Sequence, residues 1–263
     1  MGEFPKFDKG ISLDDAVRAL AASGITTAHV GIFDLTGTFR ERRLGIDDVA
    51  EVMDGGGTFV NVLPQWDAGE QVIGRGPFVG EAVTIDPESI RPYPFEENSC
   101  LMVADYQGPS KSLSPRQLLQ RQIDKADALG FGIRAAFESE FYVLEEDAAS
   151  LRESGFAALE AFARDNRCWA GESAATHASF VSQLSRTLDD GGLDLLSLSL
   201  ELGPGCFEAT LRDTSPMRCA EDHLLLKMFT KAFCRQRGLT ASFMAQVGEG
   251  FQGLSQHPHV SLF

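Results

Sequence analysis

The sequence predicts an α+β protein of two domains, and three observations lead there. Runs that alternate apolar and polar residues interleave along the chain with runs whose apolar residues recur every third or fourth position. The 263 residues, 43% of them hydrophobic, are enough for one large core or two of ordinary size. The stretch Gln107-Gly-Pro-Ser-Lys-Ser-Leu-Ser-Pro115 is polar, carries Gly and Pro, and runs directly into a helix capped at Ser114 with Pro115 at its first position. It marks a boundary near residue 110, giving domains 1–110 and 111–263.

The first domain opens with a helix over 12–23. Leu13, Ala16, Val17 and Leu20 fall at helical spacing, Ser12 and Asp15 suit a capping box, and Gly24 ends it. Thr27 to Phe33 alternates like a strand, Gly37 marks a turn, and Thr38 to Arg43 is placed as the hairpin partner. A second helix spans Ile46 to Met53 and stops at the triple glycine Gly55 to Gly57. Loop signals continue through Pro64, Gly74, Pro77 and Gly80. Glu88 to Pro94 is an extended connector, and Ser99 to Tyr106 is an apolar strand.

Beyond the boundary, helices and strands alternate. Helices are expected over 116–128, 180–190 and 215–237, the last ending at Gly238, and strands over 132–144, 193–200, 207–211, 240–245 and 260–263. There is no internal repeat and no low-complexity tract.

Composition narrows the function. A formal net charge of −15 and a pI near 4.7 argue against a nucleic-acid partner, because neutralising phosphates needs a basic face. No apolar stretch approaches a membrane span, and Met1-Gly-Glu-Phe-Pro-Lys lacks the apolar region of a signal peptide, so a cytoplasmic protein without a membrane partner is expected. The five cysteines are odd in number, widely spaced and without a CxxC pair, which reads as reduced thiols.

Chemistry concentrates in three short segments: Phe137-Glu-Ser-Glu-Phe141, Glu201-Leu-Gly-Pro-Gly-Cys-Phe-Glu208 and His257-Pro-His259. Strand alternation points Glu138 and Glu140 to one face, and two adjacent carboxylates are costly to bury without a cation. Hard oxygen donors suit Mg2+ or Mn2+ better than a closed structural zinc site. Each residue taken alone also has a plain reading. Glu138 and Glu140 fit a solvated strand face, Glu201 the start of a turn, Glu208 an exposed strand position, and His257 with His259 a surface pair. Lys227 and Lys231, like Arg40, Arg42 and Arg43, read as solvated faces, and Cys206 as packing.

The order of these segments carries a resemblance. Glu-x-Glu before an apolar strand, then Glu-x-Gly-Pro-Gly-x-Phe-Glu, then Ala-Ser-Phe-Met-Ala, then Gly-x-Ser-x-His-x-His-x-Ser-Leu resembles the glutamine synthetase family, in the wider group of glutamylpolyamine and related ligases. Ile32-Phe-Asp-Leu-Thr-Gly37 is similar to the aspartate-bearing loop of that family's small β-grasp domain, and Pro92-Tyr93-Pro94 to the connector near its end. The resemblance implies an N-terminal β-grasp-like domain followed by part of a catalytic domain, with an antiparallel sheet and helices. It further implies ATP-dependent joining of a glutamate γ-carboxylate, or a related acid, to ammonia or an amine through an acyl phosphate.

By motif position, Glu140, Glu201 and Glu208 are similar to ligands of the metal nearest the amino acid, and Glu138 and His257 to ligands of the metal nearest ATP. His259 is then an ATP-phosphate contact, Ser261 a nucleotide contact and Gly253 part of a glutamate-contacting loop. Asp34 resembles the aspartate that reaches a neighbouring subunit's site and helps bind ammonium, which implies a homo-oligomer. Mg2+ or Mn2+ and the co-substrate ATP complete the implied site.

Three positions depart from the pattern: Cys206 replaces a usual glutamine, Gln246 a common lysine, and Gln256 a glycine before the first histidine. Family members also continue past the histidine motif, with phosphate- and carboxylate-clamping arginines, a further metal-binding glutamate and a flap glutamate. For a chain ending at Phe263 the expectation is an uncovered sheet edge and a poorly stabilised transition state, and hence a competing noncatalytic or incomplete form that keeps a metal or nucleotide site. A metal-dependent hydrolase is disfavoured, since no nucleophile accompanies the carboxylates.

Overall fold

The computed structural model describes residues 4–7, 9–54 and 57–263 and divides into two compact units, Met1–Gly130 and Phe131–Phe263. Gly55, Gly56 and the first three residues, on which parts of the helix-stop and leader-peptide readings fall, lie outside the described residues.

In the first unit, helix α1 (Leu13–Ala22) starts where the Ser12 hydroxyl accepts the Asp15 backbone N–H, and it buries Ala16, Val17 and Leu20. Strand β1 (Thr27–Phe33) pairs antiparallel with β2 (Phe39–Gly45) and parallel with β6 (Ser99–Tyr106). The parallel neighbour is reached through helix α2 (Ile46–Asp54), β3 (Thr58–Val60), β4 (Gly80–Ile85) and the two-residue β5 (Arg91–Pro92). The sheet order is β2-β1-β6-β4-β3, with β5 also on β6. All of β6 is buried, and Cys100, Met102 and Ala104 pack with Val30, Ile32, Ile46, Val49, Val83 and Ile85. Strand β4 begins in a stretch whose glycines and prolines read as loop, because pairing with β6 supplies what local propensity does not. Helix α3 (Pro115–Ala128) is capped by the Ser114 hydroxyl on the Gln117 N–H, as its sequence predicts.

Of the arginines near the first hairpin, Arg42 and Arg43 are exposed, as a solvated face requires, and Arg40 is only partly so. Arg40 bridges Asp34 and Glu70 and lies over the Trp66 ring at 5.2 Å, and Arg43 pairs with Glu96.

The second unit is built on β7 (Ile133–Leu144). Its one edge pairs with β9 (Cys206–Leu211), which pairs in turn with β8 (Leu195–Leu200). Its other edge pairs with two strands in tandem, β11 (Gln256–Leu262) along 133–139 and β10 (Thr240–Ser242) along 142–144. Every pairing is antiparallel. Helices α4 (Ala148–Glu153), α5 (Gly171–Thr176), α6 (Ala178–Asp190) and α7 (Pro216–Arg235) complete the unit. The two short ones carry too few turns for a periodicity to be seen in sequence.

The faces of β7 differ. Phe141 stacks on Phe207 and Phe243, and Phe180 bridges Phe207 to Phe233 of α7, so odd-numbered β7 positions belong to an aromatic core. Further along that face, Phe137 stacks on His223, whose Nδ1 shares a hydrogen bond with the Ser139 hydroxyl at 3.0 Å. Burial and the nearby Lys227 push the His223 pKa down to about 4. Lys227 and Lys231 are not simply solvated either: both ammonium groups lie over the Phe243 ring, at 5.7 and 5.9 Å.

Candidate functional site

Even-numbered β7 positions form the opposite face, and register decides what joins them. Residues directly opposite in an antiparallel pair share a face. Glu140 stands opposite Glu208 and Glu138 opposite Thr210 on β9, and Glu208 stands opposite Ser199 on β8. On the other edge, His257 lies opposite Glu138 and His259 opposite Ala136. Three separate sequence segments therefore deliver Glu138, Glu140, Glu208, His257 and His259 to one face, and Ser261, opposite Arg134, continues the row.

Glu201 joins them through a turn that only its glycines allow. Its backbone N–H donates to the Cys206 carbonyl at 2.8 Å, continuing the β8–β9 pairing past the strand end. Gly205 has a φ of +73°, and a Cβ there would lie 2.7 Å from the Val143 carbonyl oxygen and 2.9 Å from that of Phe162. Asn166 clamps the same turn, its Nδ2 donating to the carbonyls of Glu201 at 2.6 Å and Gly203 at 2.8 Å.

The carboxylates interact strongly. Burial comes first and the charges of Glu138, Glu201 and Glu140 follow in pushing the Glu208 pKa up, with His257 acting in the opposite sense. Glu138 Oε2 lies 3.3 Å from His259 Nε2 and 3.8 Å from His257 Nδ1. Glu140 is positioned from two sides: its Oε2 accepts the Ser255 N–H at 2.6 Å, and its carbonyl accepts Gln256 Nε2 at 2.8 Å. Gln256 ties β11 to the backbone of a carboxylate on β7.

The donor set fits a hard divalent cation in its chemistry. Glu201 Oε2 is buried with no hydrogen-bond partner, and Glu208 is held among three like charges, a pattern that a bound cation would relieve. Among the described residues, no three His, Cys, Asp or Glu side chains already converge tightly enough to hold an ion.

Gly253 lies in the loop preceding β11, where a Cβ would meet only the Ala245 carbonyl at 3.6 Å, an ordinary contact. Asp34 belongs to the first unit. Its carboxylate is fully buried and accepts the Thr36 N–H, the Thr36 hydroxyl, the Thr38 N–H and Arg40 Nε. Burial opposes the charge, yet these four bonds outweigh it and hold the pKa below the carboxylate norm.

Two residues of this region escape sequence reasoning. Asn166 and Cys168 lie in an irregular stretch between α4 and α5 that carries no periodic signal. The Cys168 thiol, exposed, donates to Glu201 Oε1 at 3.2 Å, and that bond leads burial in raising its pKa. Cys206 is buried beside Tyr142 and Leu144, and burial takes its thiol up to about 12, in keeping with packing.

Comparison with known proteins yields a consistent set. Residues 112–263 match the family model described as glutamine synthetase, catalytic domain. The chain is 27% identical over 249 residues to a glutamate–isopropylamine ligase of Pseudomonas sp, covering 90% of this chain and 54% of that protein. It is 25% identical over 263 residues to a gamma-glutamylethanolamide synthetase of Streptomyces coelicolor, covering 94% and 56%. A solved GmaS/ADP complex aligns with a TM-score of 0.79 at 18% identity, covering 95% of this chain and 56% of that one. Plasmodium falciparum glutamine synthetase aligns with a TM-score of 0.76 at 13% identity, covering 98% and 55%. The chain thus spans about half the length of the curated relatives it matches.

Proposed function

The chain belongs to the glutamine synthetase family, and from that premise we propose that it takes part in ATP-dependent joining of a carboxylate to ammonia or an amine. The observation that carries this reading is the register of β7 with β9 and β11, which aligns Glu140 with Glu208 and Glu138 with His257 on one sheet face. Two relatives whose names specify glutamate–amine and glutamyl–amide chemistry support the class of reaction. In this reading ATP phosphorylates the γ-carboxylate of glutamate or a related acid, releasing ADP. The amine then attacks the acyl carbon, the C–O bond to phosphate breaks, and the amine's proton passes to a base as the amide forms.

Glu140, Glu201 and Glu208 would hold the cation nearest the amino acid, and Glu138 with His257 the one nearest ATP. Mg2+ or Mn2+, when bound, neutralises the phosphates and the charge that develops on the transferred phosphoryl group. The chain's own residues position the donors: Ser255 and Gln256 fix Glu140, and Asn166 holds the turn that presents Glu201. His259 is assigned to an ATP phosphate, Ser261 to the nucleotide and Gly253 to the glutamate-contacting loop. Amine binding by Asp34 in a neighbouring copy of a homo-oligomer rests on motif similarity alone, since both carboxylate oxygens already accept bonds within their own hairpin.

The same reading takes residues 1–110 as a β-grasp-like domain and 111–263 as part of the catalytic domain, a division supported by a family match beginning at residue 112. It gives a cytoplasmic setting in nitrogen metabolism. Among the described residues no helix is long and apolar enough to cross a membrane.

The test is phosphate release by the 263-residue chain with ATP, Mg2+ and glutamate, with and without ammonia, isopropylamine or ethanolamine, and Glu208→Gln as control. Amine-stimulated release that disappears in Glu208→Gln supports the ligase. A second reading is a noncatalytic member that keeps the carboxylate site, with the buried, unpartnered Glu201 Oε2 as a cation donor. It predicts Mn2+ binding without turnover.

A further inference from the structure

Away from the carboxylate face, the second unit has a cleft of about 250 Å³ formed by the start of α4, the last turns of α7 and the first residues of β10. Three cations line it: Arg152, Lys231 and Arg235. Lys227, Lys231 and Arg235 are spaced by four along α7, which puts like charges on one helix face at a cost of a few tenths of a kcal/mol per pair. Desolvation, then Lys227 and Arg235, push the Lys231 pKa down.

Elsewhere in this unit four arginines are matched to acids: Arg134 with Asp213, Arg164 with Glu145, Arg212 with Asp194, Arg218 with Asp222. Among the described residues, Arg152, Lys231 and Arg235 have no ion pair and no side-chain hydrogen bond. That is a notable concentration of unmatched positive charge in a chain of net charge −15. The one acid in the lining, Asp147, is engaged by the Ala149 and Ser150 N–H groups at 2.8 and 2.9 Å.

Apart from Thr240 the rest of the wall is apolar, and one residue in it is held at a conformational cost. Phe156 has a φ of +61° and is 66% exposed, its backbone fixed there by a 2.8 Å bond from its N–H to the Leu151 carbonyl. A bulky residue in the left-handed region costs on the order of 1 kcal/mol, and such strain gathers where a side chain is put to use.

We propose that this cleft binds a small phosphate monoester, its phosphate held by Arg152, Lys231 and Arg235 and its apolar body resting on Phe156 and Leu151. Two guanidinium forks and an ammonium match the tetrahedral oxygens of phosphate, and three cations against one acid leave two positive charges for a dianion. The volume lies just below the ~300 Å³ at which ordinary ligand pockets begin, which favours a compact ligand over a nucleotide. This site is independent of the ligase reading, since none of its lining residues belongs to the carboxylate face.

The experiment is calorimetric titration of the full chain with phenyl phosphate, inorganic phosphate and phenylacetate at fixed ionic strength, with folding of each variant verified by near-ultraviolet circular dichroism. Saturable phenyl phosphate binding is expected, with inorganic phosphate and phenylacetate each roughly tenfold weaker or more. Lys231→Gln and Arg235→Gln each weaken it about tenfold, Phe156→Gly weakens phenyl phosphate more than inorganic phosphate, and His259→Ala leaves it unchanged. Arg152→Gln serves if either α7 variant fails to fold. The proposal is overturned by absence of saturable binding, by equal binding of phenylacetate, by full binding in the cleft variants, or by loss of binding in His259→Ala.

Discussion

Glu140 of β7 and Glu208 of β9 face each other directly across an antiparallel pair, on a sheet face that also carries Glu138 and His257. Like charges opposite one another destabilise a sheet, and Glu208 is partly desolvated as well. A bound cation would relieve this repulsion.

Glu208→Gln should therefore part stability from function. Without metal, removing one charge raises the unfolding free energy by about 1 kcal/mol. With Mn2+ in millimolar excess, wild type gains thermal stability through binding linkage, and the variant gains far less. Thermal melts of both proteins with and without Mn2+ check this. A variant less stable than wild type in chelator contradicts the repulsion argument.

Asn166 supports the site without being a candidate ligand. Asn166→Ala removes two short bonds to the carbonyls of Glu201 and Gly203 and leaves those acceptors without this donor. The expected cost is about 2 kcal/mol, read as a lower urea midpoint at unchanged slope. Asn166→Asp should be no milder, because a carboxylate cannot donate to either carbonyl and adds a charge beside Glu201.

Much of this site is legible in sequence, and the reason is local. The alternation that places Glu138 and Glu140 together needs only β7, and the Gly-Pro-Gly turn that brings Glu201 back beside Cys206 is local chemistry. What joins these pieces is register between strands over a hundred residues apart, as in Glu138 with His257, and no local pattern carries that. Strand β4 was hidden by its flanking glycines and prolines until β6 paired with it. Lys227 and Lys231 look like a solvated face because helical spacing cannot reveal Phe243 arriving from a different segment. Gln256 reads as a departure from a glycine, and its bond to the Glu140 carbonyl becomes visible only once β11 lies against β7.

Cysteine reactivity offers a direct check on the site's environment. All five thiols are free, and Cys168 alone is exposed. Its bond to Glu201 raises its pKa, so less thiolate is present near neutrality than for an ordinary cysteine. Iodoacetamide should modify one residue of the native protein, Cys168, more slowly than it modifies free cysteine. Glu201→Gln removes the charge that disfavours the thiolate and should accelerate the reaction several-fold. Mass spectrometry of a time course distinguishes these rates, and rapid modification of Cys100 or Cys206 would contradict the fold.

The last prediction concerns the first unit, where His29 is buried with Nδ1 at 3.0 Å from Glu41, Nε2 at 3.1 Å from Glu96, and its ring stacked on Tyr93 at 3.9 Å. Burial disfavours the imidazolium, but the two carboxylates outweigh it and the pKa lies above its ordinary value of 6.5. A pKa raised by folding means that protonated His29 stabilises the fold fully below 6.5, a contribution lost as pH rises through the folded-state value. Glu96 runs in the opposite sense. Arg43 first, and His29 after it, take its pKa to about 2, so its contribution is present above the ordinary 4.5 and disappears as pH falls towards 2. Urea unfolding should accordingly show highest stability between these limits and a decline as pH rises above 6.5. His29→Gln should flatten that decline while costing about 1–3 kcal/mol at the lower pH. If the decline is the same in His29→Gln, the alkaline-side loss arises elsewhere and the buried His29 is neutral throughout.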